Sequence, residues 1–251
     1  MKKEVVLLAS LAFVAMIGRA QNGRTVVQQP VSWTGYINSL RLAPKWTLSS
    51  EAQIRFFLSP VAQHLWAVRF RAYRSLGRGW DVAPGFARFV NLRNTPEAAA
   101  LPVPELRPMA ELNQRQPFGA RWLAHHRYMA EARFFRKTAN GALALGYNFN
   151  WRFRYRLGLD FDVWRGKKRL DPLKIRLFDE LMVNAGKSVG SSFFDQNRVF
   201  AGLQIPLAHE LNLEAGYLRM FQQQRNSDNF FDRHIWRLTF LHRVDVAGRT
   251  D

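Results

Sequence analysis

Arginine occupies every second position of Arg152-Phe-Arg154-Tyr-Arg156. In a β-strand that spacing puts all three guanidiniums on one face. A guanidinium presents a fork of N–H donors that matches carboxylates and phosphates. A row of forks can select anions along a path, or it can be neutralised by carboxylates and fill space. The same alternation sets Arg69 beside Arg71, and Arg127, Glu131 and Arg133 along another segment. Glu51, Arg55, Glu180, Arg198, Glu214 and Arg237 take equivalent positions in their own segments, with Asp160 and Asp162 as further counter-charges. These residues form one expected charged face. A structural ion-pair network and an anion path are both open to it.

Other chemistry finds little support. The chain has no cysteine, which excludes disulfides, thiolate metal sites, thiol catalysis and a lipoprotein anchor. His125 and His126 are adjacent and so point to opposite faces, and His64, His209 and His234 fall near strand ends. No His-x-Ser pair and no H-E-x-x-H spacing occurs, so neither a serine hydrolase nor a zinc protease is indicated. The sequence offers no catalytic, cofactor-binding or metal-ligating set, and no cofactor is expected.

The elements that carry the charged face are strands. From Leu143 to Val163 the chain alternates, with Tyr147, Trp151, Phe153, Tyr155, Leu157, Leu159 and Phe161 on one side and Asn148, Asn150, the three arginines, Asp160 and Asp162 on the other. A strand in a lipid-facing barrel wants apolar groups outside and polar groups toward the lumen. Eleven such segments are legible, the first near Trp33–Leu42 and the last near His234–Val244. Gly, Pro, Asn and Ser clusters separate them. Trp33, Trp46, Trp80, Trp122 and Trp164 fall near strand ends, as interfacial girdles do. The fold expected is all-β, a transmembrane antiparallel up-and-down barrel.

The strand count follows from the connections. Those at Ala43–Lys45, Gly77–Gly79 and Pro206–Glu210 are short, while Arg93–Pro104, Ala185–Asn197 and Gln224–Arg233 are long. Short periplasmic turns and long outer loops are the barrel pattern, and bacterial single-chain barrels have even strand numbers. Eleven is odd, so a further strand is expected within Arg24–Val31. That gives about twelve strands, with ten as the alternative.

Residues 1–20 read as a signal peptide. Lys2 and Lys3 precede an apolar run from Val5 to Ile17, and Gly18-Arg19-Ala20 is a small-x-small cleavage site. Residues 21–251 then form a single barrel domain. The mean hydropathy is only −0.25, as expected where only alternate residues meet lipid. The net charge of +18 would ordinarily suggest nucleic acid. The export signal and the strand-spaced arginines argue against it. The partners expected are outer-membrane lipid and lipopolysaccharide, with the barrel-assembly machinery during insertion; the oligomeric state is open.

The most distinctive motif is Phe194-Asp195-Gln196-Asn197-Arg198, followed by Gly202, with Leu211-x-Leu-x-x-Gly216-Tyr217 downstream. Upstream stand His126-Arg127-x-x-x-Glu131-x-Arg133 and Arg152-x-Arg154-Tyr155-Arg156. Over essentially the whole mature chain these resemble an uncharacterised bacterial family, domain of unknown function 2490, whose members look like outer-membrane β-barrels. The resemblance implies fold and location and brings no activity. Within the motif, Asp195 and Asn197 are expected to fix the loop edge where a strand begins at Arg198.

The function expected is therefore that of an outer-membrane barrel, not an enzyme. It would be structural or a narrow pore for small solutes, anions among them. Two alternatives are a barrel-embedded lipid hydrolase or acyltransferase and a soluble periplasmic lipocalin-like binding barrel. The latter would reverse the faces, with apolar groups inside and arginines outside.

Overall fold

A computed structural model of the protein describes residues 24–164, 170–186, 189, 193–225 and 227–247. The signal peptide read at residues 1–20 lies outside them, as do parts of three connections: 165–169, 187–192 apart from Val189, and 226. Eleven strands follow one another: β1 (Val26–Ala43), β2 (Trp46–Leu58), β3 (Val61–Gly77), β4 (Trp80–Asn91), β5 (Val103–Phe118), β6 (Trp122–Ala139), β7 (Ala142–Trp164), β8 (Leu173–Ala185), β9 (Phe194–Ala208), β10 (Leu211–Gln223) and β11 (Phe230–Asp245). Each pairs antiparallel with its sequence neighbours, and β1 pairs with β11 in parallel to close the barrel. Closure leaves no strand edge unpaired. Among the described residues no helix is long and apolar enough to cross a membrane.

Among the described residues the count is eleven, one below the twelve that parity favours. No separate strand lies within Arg24–Val31; Val26–Val31 is the opening stretch of β1, continuous with Trp33 and paired from Val26↔Phe230 onward. An even number is required only if every seam is antiparallel. The parallel seam removes that requirement and puts the starts of β1 and β11 at the same end.

The two ends differ. One, the loop end, holds the β4–β5, β8–β9 and β10–β11 connections, together with a two-residue turn at Asn140-Gly141. The other, the turn end, holds Pro44-Lys45, Arg78-Gly79 and His209-Glu210. Arg78 and Gly79 both have positive φ, +51° and +80°, the signature of a type I′ hairpin turn. The length contrast has exceptions at both ends: Ser59-Pro60 is a second two-residue connection on the loop side, and 165–172 is a long one on the turn side.

The exterior is apolar. Phe70, Trp122, Tyr128, Phe153, Tyr217, Trp236 and Leu238 are all exposed. In β7 the alternation holds from Tyr147 onward. Gly146, with φ +87°, and a register shift between Arg136 and Thr138 interrupt it. Leu145, beyond that break, is 90% exposed on the β6–β7 hairpin. Trp46, Trp122 and Trp164 face outward. Trp33 does not: it is buried inside the barrel, at 6% exposure, because the odd residues of β1 face the interior.

The interior is part ionic and part apolar. Val31, Trp33, Phe57, Phe178, Phe200, Leu218, Met220 and Ile235 form one cluster against the seam wall. Leu65, Ala67, Ala87, Phe89, Met109 and Met129 form a second. Gly202 of β9 stands opposite Gly216 of β10, and a Cβ on Gly202 would lie 2.6 Å from the Phe200 ring and from the Ala215 carbonyl oxygen. The two glycines make the floor on which Phe200 lies flat, so the motif glycine is a packing requirement.

Candidate functional site

The expected charged residues all line the interior, and most of them meet there. Glu180 on β8 accepts from Arg154 at 2.8 Å, Arg156 at 3.0 Å and Arg127 at 2.5 Å, with Arg198 at 3.7 Å. Glu131 on β6 takes Arg152 and Arg154 of β7, at 2.5 and 3.1 Å. Glu51 on β2 takes both Arg69 and Arg71 of β3. Glu214 on β10 bridges Arg176 at 2.7 Å and Arg237 at 3.1 Å. Most of these pairs span adjacent strands because neighbouring inward residues in a sheet sit about 5 Å apart, within reach of Arg and Glu side chains; Arg127–Glu180 and Arg176–Glu214 each reach past one strand.

Residues that sequence reasoning passed over complete the network. Glu105 accepts from Arg107 of its own strand and from Arg133 of β6, at 2.5 and 2.7 Å. Glu111 accepts from the Tyr73 hydroxyl and lies 4.0 Å from Arg71. Period-two spacing of Glu105, Arg107, Met109 and Glu111 was the signal available for them, blurred by Pro104 and Pro108. Arg176 joins Asp160 at 3.0 Å, and His125 lies 2.9 Å from the same carboxylate. His125 thus belongs to the ionic network, while His126 faces out and meets the Tyr155 hydroxyl at 2.9 Å.

The Phe194–Arg198 motif is part of a strand. β9 begins at Phe194 instead of Arg198, and the pairing skips between Met182↔Gln196 and Val183↔Phe194. That bulge leaves Asp195 unpaired in the ladder, and Asp195 and Gln196 are both buried. The expected loop-edge role is replaced by an ionic one: Asp195 accepts from Arg152 at 3.0 Å and from Gln196 at 3.0 Å. Asn197, on the outer side, donates to Asp179 at 2.5 Å. His64 occupies a similar irregularity between Arg55↔Leu65 and Phe56↔Gln63, and its Nδ1 donates to the Arg93 carbonyl oxygen, 2.6 Å away.

Aromatic faces support the guanidiniums. Arg107 lies 3.5 Å over Phe89, Arg156 3.9 Å over Phe178 and Arg55 3.6 Å over Trp33. Such stacking lets a charged group share space with the apolar clusters.

The network divides the lumen. A cavity of about 690 Å³ opens at the loop end, and the deepest residues lining it include Arg69, Arg154 and Arg198. Glu131 and Glu180, which hold Arg154, are fully buried, and Glu111 is nearly so, at 2%. Charged side chains thus pack much of the barrel interior, as side chains fill other small barrels. The loop after β4 folds over the mouth, where the Asn94 carbonyl accepts from Gln29 and Arg233 at 3.0 and 3.2 Å. Among the described residues no cluster of His, Asp and Glu is arranged to hold a metal ion.

Apolar outside and ionic inside, the molecule defines a class: closed β-barrels whose lumen is packed with arginine–carboxylate pairs. The chain belongs to the family described as Protein of unknown function (DUF2490), whose model matches residues 31–231. No curated protein and no solved structure matches the chain.

Proposed function

We propose that this protein is an outer-membrane β-barrel, exported by a cleaved signal peptide, whose lumen is closed at mid-height. It is a structural envelope component with a vestibule at its loop end, and neither an open pore nor an enzyme. The observation that carries this reading is the polarity of the wall. Phe153, Leu181, Tyr217 and Trp236 are exposed on strands whose inward neighbours Arg154, Glu180 and Glu214 are buried. Water on both faces would favour the reverse arrangement, the one a lipocalin-like barrel uses. Lipid outside makes the exposed aromatic band favourable.

Closure is supported by the same charges. A conducting anion path needs arginines left to the solute, but those at mid-height are already held by Glu131 and Glu180. A catalytic role for His125 is disfavoured because its carboxylate partner Asp160 is also bound to Arg176. The partners of this reading are lipid and lipopolysaccharide around the aromatic band, and the assembly machinery during insertion. The test is fractionation: the mature protein should sediment with outer membranes, need detergent for extraction and migrate on gels according to whether it was heated. Recovery as a dispersed monomer without detergent would contradict the reading.

A further inference from the structure

The vestibule contains positive charge that the described residues do not neutralise. Eleven arginines line it against two carboxylates, Glu105 and Asp195. Several are bridged to carboxylates outside this lining, yet among the described residues Arg55 and Arg233 have no carboxylate partner. Arg55 is 4% exposed. Its one hydrogen bond is a 3.5 Å contact to the Gln53 side-chain oxygen, and its Nε has no partner. Arg233 is 2% exposed and donates to the neutral oxygens of Gln29, Gln222 and Asn94. Arg198 shares Glu180 with three other arginines, at 3.7 Å, and donates to Gln196 at 3.1 Å. Burying a guanidinium without an opposite charge is costly; two such groups line this cavity, with Arg198 and its shared carboxylate beside them.

Their placement is fixed. Arg55 and Arg198 both lie over the Trp33 ring, 3.6 and 5.5 Å from its centroid. Arg233 is held to Gln29, on the same face of β1 as Trp33, at 2.7 Å. The cavity of about 690 Å³ is within the size range of small-molecule sites. More than one uncompensated cation matches an anion carrying more than one charge, and forked donors match tetrahedral oxyanions.

We propose that the vestibule is a binding site for a phosphate-type oxyanion, held by Arg55, Arg198 and Arg233. The anion completes the charge balance of the upper lumen as Glu131 and Glu180 complete the lower. Its source is either free phosphate or the phosphomonoester of a lipid head group entering at the mouth. The site does not depend on the barrel being closed or membrane-embedded, so failure here leaves the reading above intact.

The test uses the refolded full-length mature chain in uncharged detergent at low ionic strength. Sodium phosphate is titrated against sodium chloride of equal ionic strength, with heat release and thermal unfolding as readouts. In a second arm lysophosphatidic acid is doped into the micelles. Phosphate is expected to release heat and raise the unfolding midpoint, as ligands of the folded state do. Arg55→Gln should weaken this response at least tenfold, and should unfold later than the parent when no phosphate is present, having lost a buried unpaired charge. Arg41→Gln, whose parent residue pairs with Asp245 at the exposed turn end, should respond as the parent does. A response to free phosphate assigns the soluble source, and one confined to the doped micelles assigns the head group. Absence of any response in both arms, or an Arg55→Gln protein that binds as tightly as the parent, overturns the proposal.

Discussion

Arg127 of β6 donates to Glu180 of β8 at 2.5 Å, reaching past the intervening β7. The same carboxylate holds Arg154 and Arg156 of β7, so one fully buried glutamate ties three consecutive strands together across the lumen. Such a group contributes more through what its loss exposes than through its net stability. Removing one partner of a buried ion pair strands the other charge.

Glu180→Gln should therefore destabilise the barrel by about 3–5 kcal/mol, since four arginines lose their shared anion. Urea-induced unfolding of the refolded protein, followed by tryptophan fluorescence, measures it. A change within about 0.5 kcal/mol, the scale of ordinary surface substitutions, would mean that the carboxylate does not hold the layer together.

Gly202→Val tests the packing floor under Phe200. The added side chain meets the Phe200 ring and the Ala215 carbonyl oxygen at 2.6 Å, and over-packing of this kind costs about 1–3 kcal/mol. Pairing it with Phe200→Ala, which removes the ring, should recover part of the loss. A double-mutant cycle on unfolding free energies reads the coupling, and strict additivity would refute the contact.

The outer wall should respond to charge by depth. Phe153→Arg places a cation on the exposed band, a change that costs about 2–4 kcal/mol at a bilayer midplane. The same substitution should cost little if the wall faces water. Stability compared in bilayers of matched thickness distinguishes the two.

Much of this architecture is legible in the sequence, because a period of two marks both faces of a strand at once. Tyr147 to Phe161 reveals the outward aromatics and the inward arginines together, and eleven segments are visible as such. The parallel seam is not legible. Nothing in Val26–Val31 or in β11 records which strand ends will meet, so parity had to be assumed. The inward position of Asp195 is hidden for a related reason: a bulge breaks strict alternation and turns two successive residues inward. The position of Trp33 near a strand end points to an interface although its ring lies inside, because residue type alone does not separate a girdle from a lumen stack. The unmatched charge on Arg55 depends on distances across the barrel, which no local pattern contains.

The central claim, a membrane-inserted barrel closed at mid-height, is tested most directly by conductance. Refolded mature protein with heat-modifiable migration is reconstituted into vesicles, shown to float with them, and fused to a planar bilayer. The account predicts stable insertion with no discrete current steps in either polarity. Steady, reproducible steps from the parent protein, diminished when Arg152, Arg154 and Arg156 are changed to Gln, would contradict it by showing that the arginine layer lines an open path.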